Sequence, residues 1–275
     1  MSAWSEFLWG VYPYIALLVM IVGTIYRYDA NQLSWTSKSS ELLEKRLLTV
    51  GSMLFHVGIL MVFAGHVFGL LVPTQVYTSL GISSEAYHAA AIIGGGAAGL
   101  MAFAGISILL YRRIANARIR RTSDTSDYVA DGLLWLVVLL GLAVTLGYNL
   151  LKGPYEYRAS VGPWIRSVVT LQPDVALMAS VPLIFQVHIA VSFLLLAVSP
   201  FTRLIHAYSA PIAYLTRAPL QYRARYGFGG ATPARLGKRP SPAAPSIEPV
   251  SEEPVPEVAG GERTEEPAPA SASRY

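Results

Sequence analysis

The feature that most constrains the fold is a set of five long segments without any Asp, Glu, Lys or Arg. They cover about Phe7–Tyr26, Leu47–Val72, Tyr87–Tyr111, Gly132–Leu151 and Val181–Phe201. A helix of about 20 apolar residues, at a rise of about 1.5 Å per residue, crosses the hydrocarbon core of a bilayer. Hydrophobic residues make up 53% of the chain and charged residues 14%, which excludes an ordinary soluble domain. The sequence therefore predicts an all-α membrane protein with five transmembrane helices.

The placement of Lys and Arg predicts the orientation of these helices, because positive residues accumulate on the cytoplasmic side. Only Lys152, Arg158 and Arg166 lie on one side, and the rest of the 21 Lys and Arg residues lie on the other. We therefore expect the N-terminus outside, the C-terminus in the cytoplasm, and a multi-pass protein of the inner (cytoplasmic) membrane. Since this rule accounts for the basic excess, no nucleic-acid partner is expected.

Composition divides the chain into three parts. Residues 1–210 are the predicted transmembrane domain. The segment 211–228 mixes aromatic and basic residues, and we expect it to lie on the membrane surface or dock on a cytoplasmic partner. Residues 229–275 are rich in Pro, Ala and Glu, which predicts a disordered tail. The absence of cysteine excludes cysteine-ligated iron–sulfur clusters and a covalently attached c-type haem.

Small and aromatic residues suggest how the helices pack. The run "GGGAAG" in the third segment predicts a close approach to a neighbouring helix. Gly51, Gly58 and Gly65 recur every seven residues in the second segment, which fits either helix packing or room for a flat cofactor. After the fourth segment, a short interfacial helix is expected over Ala159–Leu171, with Trp164 at the level of the lipid headgroups.

Four histidines form the most informative pattern. His66 and His188 lie about 9 and 10 Å from the outer ends of the second and fifth helices, so they share a depth. His56 lies towards the inner end of the second helix, and His206 follows the inner end of the fifth. We therefore expect His66 to face His188 and His56 to face His206. The crossed pairing is excluded because His56 and His188 would differ in depth by about 14 Å.

The spacing within each helix fits less well. His188 and His206 are 18 residues apart, which places them on one face of a continuous helix. The axial rises nevertheless differ, at about 15 Å between His56 and His66 against about 27 Å between His188 and His206. Both pairs can form only if the helices tilt or the fifth helix bends near Pro200.

Two pairs of imidazoles facing each other fit two b haems, each held by two axial histidines. Zinc would want three or four ligands, and no carboxylate lies at these depths. Simple interhelical hydrogen bonds and a proton relay remain alternatives. In the haem hypothesis, a quinol from the bilayer supplies electrons near the outer haem. Basic residues of the inner face, Arg112, Arg113 and Arg203, either pair with haem propionates or only follow the positive-inside rule.

The sequence resembles the gamma (cytochrome b) subunit of the membrane-bound respiratory nitrate reductase over about residues 7–225. The resemblance lies in "YPYIA", "RYD", "LFHVGILMVFAGHVFGLL", "GGGAAG" and "FQVHIAVSFLLLAVSPFTRLIHAYSAPIAYLTR". It implies that His66 and His188 ligate the outer haem b, that His56 and His206 ligate the inner one, and that quinol binds near Gly65 and His66.

The resemblance also implies the reaction and the partners. Quinol, with menaquinol as the preferred candidate, would be oxidised with release of protons outside. The electrons would pass to an iron–sulfur beta subunit and a molybdenum alpha subunit, which reduces nitrate to nitrite in anaerobic respiration. The iron–sulfur clusters and the molybdenum would reside in those partners and not in this chain.

One departure from the family affects the quinol site. Where the best-known members carry a lysine at the start of the third helix, this chain has Tyr87 followed by His88. Either side chain can donate a hydrogen bond to a quinone carbonyl, and His88 can accept a quinol proton. An interfacial His88 that only faces water is the alternative interpretation.

Two other functions compete with this one. A related b-type subunit of a heterodisulfide- or sulfite-reduction-type complex would share the fold and the haems but have another cytoplasmic acceptor. A haem-free transporter or assembly scaffold would use the histidines as hydrogen bonds between helices. That last alternative predicts no haem α band in the purified protein.

Overall fold

The computed structural model describes residues 2–31, 34–35 and 40–208, and within this part of the chain the regular structure is entirely helical. Five helices are long and apolar enough to cross a membrane, which confirms the predicted number. We label them α1 to α5 in chain order; their bounds are Ala3–Ala30, Arg46–Leu71, Ser84–Ala115, Thr125–Lys152 and Leu183–Phe201. The segments 211–228 and 229–275 lie outside the described residues, so the docking segment and the disordered tail stay predictions.

The helices are arranged around the two that carry the histidine pairs. α2 packs along α3, α3 packs on α4, and α5 packs on both α4 and α1. Among the described residues, no comparable packing joins α2 to α5. The two histidine-bearing helices are therefore held opposite each other by α3 and α4. We call the end of the bundle with His66 and His188 the outer end, and the opposite end the inner end.

Glycines fix the contact between α2 and α3. A Cβ on Gly58 would lie 2.5 Å from the backbone nitrogen of Ala102, and one on Gly105 would meet the backbone nitrogen of Phe55. The two backbones therefore touch, and only glycine permits this approach. Gly51 also packs against α3. For Gly51 and Gly58, helix packing is therefore the correct one of the two alternatives, helix packing or room for a flat cofactor. Gly65 differs, because the space beside its Cα is open.

The "GGGAAG" run makes the predicted close approach, and its neighbour is α4. A Cβ on Gly96 would lie 2.7 Å from a methyl of Leu146, and one on Gly99 would lie 2.8 Å from a methyl of Leu142. α3 therefore contacts α2 near its middle and α4 along another face, which makes it the spacer between the histidine-bearing helices.

The inner end of α5 departs from the continuous helix that the 18-residue spacing assumed. Its α-helical part ends at Val198, a 3₁₀ turn covers Ser199–Phe201, and Thr202 is extended before a second 3₁₀ turn at Arg203–Tyr208. The shared-face argument for His188 and His206 is therefore wrong, and the expected break near Pro200 is present. The α-helical rise therefore does not apply between Val198 and His206, because His206 lies in a 3₁₀ turn and not in the α-helix.

The outer end is closed by a helix at Val161–Val169, close to the predicted short helix. Trp164 is fully buried, its indole N–H donates to the carbonyl of Trp9 at 3.1 Å, and its ring packs edge-on against Trp9 and Phe193. Trp164 is thus held by protein contacts, and its expected depth at the level of the lipid headgroups stays a prediction. A tryptophan can bury its whole ring when the indole N–H finds a partner, and the Trp9 carbonyl supplies one.

Candidate functional site

The structure brings the four histidines together as two pairs. The ring centroids of His66 and His188 are 6.2 Å apart at the outer end, with an interplanar angle of 39°. The centroids of His56 and His206 are also 6.2 Å apart at the inner end, with an angle of 55°. These are the pairs expected from the depths of the residues, and their roles as ligands stay predictions.

Hydrogen bonds to backbone carbonyls fix the tautomer of three of the rings. Nδ1 of His56 donates to the carbonyl of Ser52, and Nδ1 of His66 donates to that of Val62, both at 2.8 Å. Nδ1 of His206 donates to the carbonyl of Arg203 at 2.5 Å. Because a carbonyl can only accept, each Nδ1 carries the hydrogen and each Nε2 keeps its lone pair. This is the tautomer that ligates a metal through Nε2.

The separation of the rings fits a metal between them better than a direct hydrogen bond. A hydrogen bond between two imidazoles needs nitrogens about 2.9 Å apart, which places the centroids at about 5 Å. Two bonds of about 2 Å each, from one metal ion to a nitrogen of each ring, place the ring centroids about 6 Å apart. In the described part of the chain no hydrogen bond links the rings of either pair, and no three His, Cys, Asp or Glu residues converge. The donor set is thus two imidazoles per site, which suits a haem iron.

The outer pair depends on a glycine that the sequence did not single out. A Cβ on Gly141 of α4 would lie 3.2 Å from Cε1 of His188, so the ring lies directly against the α4 backbone. Nδ1 of His188 is buried and has no hydrogen-bond partner within the described residues. Contact with the α4 backbone at Gly141 therefore orients this ring.

The inner pair depends on a group of charges that we call the inner ion-pair cluster: Arg113, Asp127, Asp131 and Arg203. Asp127 is fully buried, and its carboxylate pairs with Arg203 at 2.7 Å and with Arg113 at 3.3 Å. Arg113 also pairs with Asp131 at 2.6 Å. The cluster ties the turn that bears His206 to α4. The spacing of Asp127 and Asp131, four apart on one helix face, was the signal for it in the sequence.

A second anchor holds the same turn from α1. The guanidinium of Arg27 donates to the carbonyls of Pro200 and Thr202 at 2.6 and 2.7 Å. These carbonyls follow the last α-helical turn of α5 and have lost their helical partners. Arg27 therefore stabilises the break that lets His206 reach His56.

The arginines proposed for haem propionates already have partners in this chain. Arg112 pairs with Glu44 at 2.6 Å and also donates to the hydroxyl of Ser40 at 2.9 Å. Arg203 is bound by Asp127, as described above. A propionate would have to share these guanidinium groups, so this role stays a prediction for Arg112 and Arg203. The sequence shows the sign of the charge at this face but not which carboxylate neutralises it.

The residues expected around the quinol lie at the outer end. The Tyr87 hydroxyl is 3.1 Å from that of Tyr157, and both lie within 3.1 Å of where a Cβ on Gly69 would stand. Gly69 follows His66 by three residues, so the tyrosine pair lies about one turn from an outer histidine. The guanidinium of Arg158 stacks on the ring of Tyr87 at 3.9 Å from its centroid. Burial raises the pKa of Tyr157, and so does its hydrogen bond to Tyr87.

His88 does not stand alone at the interface. Its Nε2 lies 2.9 Å from a carboxylate oxygen of Glu156, and Arg158 donates to the same carboxylate at 2.8 and 2.9 Å. The hydrogen bonds from Arg158, supported by those from His88 and Ser84, lower the pKa of Glu156 to about 2. We call Ser84, Tyr87, His88, Glu156, Tyr157 and Arg158 the outer polar cluster. The sequence analysis missed Glu156, Tyr157 and Arg158, although two opposite charges flanking a tyrosine in a sparsely charged loop were visible.

Comparisons with known proteins identify the family of the chain. The family model described as "Nitrate reductase gamma subunit" matches residues 5–225. The nitrate reductase gamma chain of Bacillus subtilis is 49% identical over 80% of this chain and 99% of its own length. The respiratory nitrate reductase 2 gamma chain of Escherichia coli is 36% identical over 78% and 94%.

A longer relative shares the same region. The nitrate reductase-like protein NarX of Mycobacterium tuberculosis is 40% identical over 85% of this chain, which corresponds to 36% of that protein. The family match covers most of the chain and all four paired histidines. The chain therefore belongs to the nitrate reductase gamma subunit family and is a multi-pass membrane subunit of a nitrate reductase.

Proposed function

We propose that this subunit oxidises quinol at the outer end and delivers the electrons to the inner end for nitrate reduction. The observation that carries the proposal is the presence of two histidine pairs, each with ring centroids 6.2 Å apart, at opposite ends of the bundle. The protons would be released outside, so that turnover charges the membrane. Relatives named as nitrate reductase gamma chains, matched over nearly their whole length, favour nitrate over the heterodisulfide- or sulfite-type alternative.

The four histidines would hold two b haems. His66 and His188 would be the axial ligands of the outer haem, and His56 and His206 those of the inner one. A haem with two protein imidazoles has no open coordination position, so it supplies one-electron transfer and no substrate binding. The lone pairs on Nε2 of His56, His66 and His206 support this assignment, because their Nδ1 atoms are already used.

The quinol, preferably menaquinol, would bind beside His66. The open side of Gly65 gives access to α2, and Tyr87 and His88 supply polar atoms at the start of α3. Nitrate chemistry would take place in partner subunits on the cytoplasmic face, with an iron–sulfur beta subunit receiving the electrons and a molybdenum alpha subunit using them. This subunit alone should reduce no nitrate.

The test is a reduced-minus-oxidised spectrum of the purified full chain and of two ligand variants. The wild type should show a low-spin b-type α band that titrates with two midpoints. His66→Ala should lose one of the two components and His56→Ala the other, because each variant removes one axial ligand.

His88→Ala is the matched control, since His88 is a histidine of the bundle outside both pairs, and it should retain both components. A wild-type protein without an α band would support the haem-free transporter or scaffold. Ligand variants that keep both components would show that the assignment is wrong.

A further inference from the structure

We propose that Glu156 positions His88 as the proton acceptor in quinol oxidation, and that the polar cavity beside them carries the protons out. The inference rests on the proposed quinol oxidation and assigns it a base, a positioning residue and an exit route. It uses the outer polar cluster and no residue of the histidine pairs.

The contacts of Glu156 identify it as a fixed anion. One carboxylate oxygen accepts from Nε of Arg158 at 2.8 Å. The other accepts from Arg158 at 2.9 Å, from the hydroxyl of Ser84 at 3.1 Å and from His88 at 2.9 Å. Hydrogen bonds from Arg158, then from His88 and Ser84, keep the pKa of this carboxyl far below the usual range. Glu156 therefore stays ionised at any working pH and is not the group that takes the proton.

This fixed anion determines the tautomer of His88. An ionised carboxylate only accepts, so Nε2 of His88 must carry the hydrogen that points to Glu156. The lone pair is then on Nδ1, and no described residue makes a hydrogen bond to that atom. The side chain is only 14% exposed, so the ring cannot turn freely into water. A partly buried imidazole with one nitrogen bound to a carboxylate and the other without a hydrogen bond has the arrangement of a general base.

Two charged residues and two tyrosines surround His88. Glu156 and Arg158 face His88 from the loop after α4, and their opposite charges are paired with each other. Tyr87 adjoins His88 on α3, and Tyr157 lies behind Tyr87. Burial raises the pKa of Tyr157, so this phenol stays neutral and does not compete for the proton. The negative charge closest to His88 is therefore the Glu156 carboxylate, at 2.9 Å.

The position of the cluster fits the reaction. Tyr87 contacts Gly69, about one turn after His66, so a quinol beside His66 lies near the start of α3. Oxidation of the quinol would break its two O–H bonds. Nδ1 of His88 would accept the proton of the hydroxyl beside it, and the opposite hydroxyl would release its proton to water at the outer end. An outer b haem held by His66 and His188 would be the one-electron acceptor, and the loss of two protons and two electrons would leave the quinone.

A route for the released protons lies beside the cluster. A cavity of about 320 Å³ is lined by two apolar residues, Ile82 and Ala159, and by seven residues with polar groups: Thr74, Tyr77, Thr78, Ser83, Ser84, Glu156 and Arg158. At about 30 Å³ per molecule it has room for about ten waters, and its polar lining offers them hydrogen-bond partners. Glu156 belongs both to this cavity and to the His88 contact, which connects the base to the exit.

The test measures quinol-driven haem reduction in membranes that contain the whole nitrate reductase complex. His88→Gln should lower kcat for quinol by about 100-fold, because it removes the base. Glu156→Gln should lower kcat by about tenfold with KM within about twofold, because it releases the ring from its orientation. Glu156→Asp should restore part of the loss.

Glu85→Gln is the matched control, because Glu85 lies in the same first turn of α3, is exposed and is outside the cluster. It should behave like the wild type. Nitrate reduction driven by reduced viologen, which bypasses the quinol, should be equal in all variants. If Glu156→Gln changes only KM, or if His88→Gln leaves kcat unchanged, the inference is wrong. If quinol fails to reduce the haems of the wild type, the proposed function itself fails.

Discussion

The outer and inner histidine pairs have the same separation between rings but are held by different means. The outer pair joins two regular helices, and His188 is oriented by contact with the backbone of α4 at Gly141. The inner pair joins a helix to a 3₁₀ turn, and buried ion pairs hold that turn in place. The same local geometry therefore arises from steric fit at one end and from charge pairing at the other.

This difference follows from what surrounds each end. At the outer end, where both partners lie on regular helices, close contact with a neighbouring helix backbone is available to orient the ring of His188. Where α5 ends, free carbonyls need donors, and arginines supply them. A substitution that disturbs the glycine contact should therefore affect the outer histidine pair and not the inner one. A substitution that breaks the buried ion pairs should affect the inner pair and not the outer one.

The largest effect is expected at Asp127. Asp127→Asn should destabilise the inner site by about 3 kcal/mol, because breaking a buried ion pair leaves Arg203 without its carboxylate. The turn that bears His206 would lose its attachment to α4. The inner component of the reduced-minus-oxidised spectrum should be depleted, while the outer component stays at the wild-type level.

Asp131→Asn provides the matched control for that result. Asp131 is nearly as buried as Asp127 and also pairs with Arg113, but it makes no ion pair with Arg203. Asp131→Asn should lower the overall stability of the protein without depleting the inner spectral component more than the outer one. Equal depletion of both components in Asp127→Asn would show that the cluster supports the whole bundle and not the inner site.

A smaller effect of opposite selectivity is expected at Gly141. Gly141→Val should displace the ring of His188 at a cost of about 1–3 kcal/mol, because the added carbons enter a packed contact at 3.2 Å. The outer component should shift in midpoint potential or be depleted, and the inner one should not.

Gly132→Val serves as the control for Gly141, since Gly132 lies on the same helix with open space beside it. It should leave both midpoints unchanged. A shift of the inner midpoint in Gly141→Val would contradict the separation of the two supports.

The smallest expected effect is a loss of stability at acidic pH. The pKa of Glu156, lowered to about 2 by its hydrogen bonds with Arg158 first, lies below the unfolded value of about 4.3. Its contribution to stability is therefore fully present above about pH 4.5 and is lost as the pH falls towards 2. The melting temperature of the wild type should exceed that of Glu156→Gln at about pH 6, and the gap should narrow by about pH 3. Since the Glu156 side chain is 40% exposed, solvent screens the pair and keeps the effect modest.

Circular dichroism of the full chain in detergent can measure these melting temperatures. The variant Glu85→Gln should follow the wild type across the same range. A gap that does not change between about pH 6 and pH 3 would contradict a stabilising role for the ionised carboxylate.

Much of the fold and of the histidine pairing was accessible from the sequence. The five apolar segments predict the five helices because a bilayer tolerates few other structures. The depths of His56, His66 and His188 follow from the helical rise, which is nearly constant. The expected pairing of His206 with His56 is present, whereas the separate argument that His188 and His206 share a helix face was wrong, since α5 is not continuous to His206.

The supports of the site were harder to predict because they depend on side-chain partners from distant parts of the chain. Glu156 contacts His88 across 68 residues, and Trp164 reaches Trp9 across 155. Neither periodicity nor composition encodes such pairs. The propionate role of Arg112 and Arg203 illustrates this, because a basic residue at the inner face was visible and its carboxylate partner was not.

The sequence by itself determined the number of transmembrane helices and the depth of the histidines, because both follow from the thickness of the bilayer and the fixed geometry of the α-helix. Only the tertiary structure decided what holds each ring: a glycine contact at the outer end, an ion-pair cluster at the inner end, and a glutamate behind His88. These features arise from packing between helices, where a few ångströms determine whether a carboxylate reaches an arginine or a ring meets a backbone.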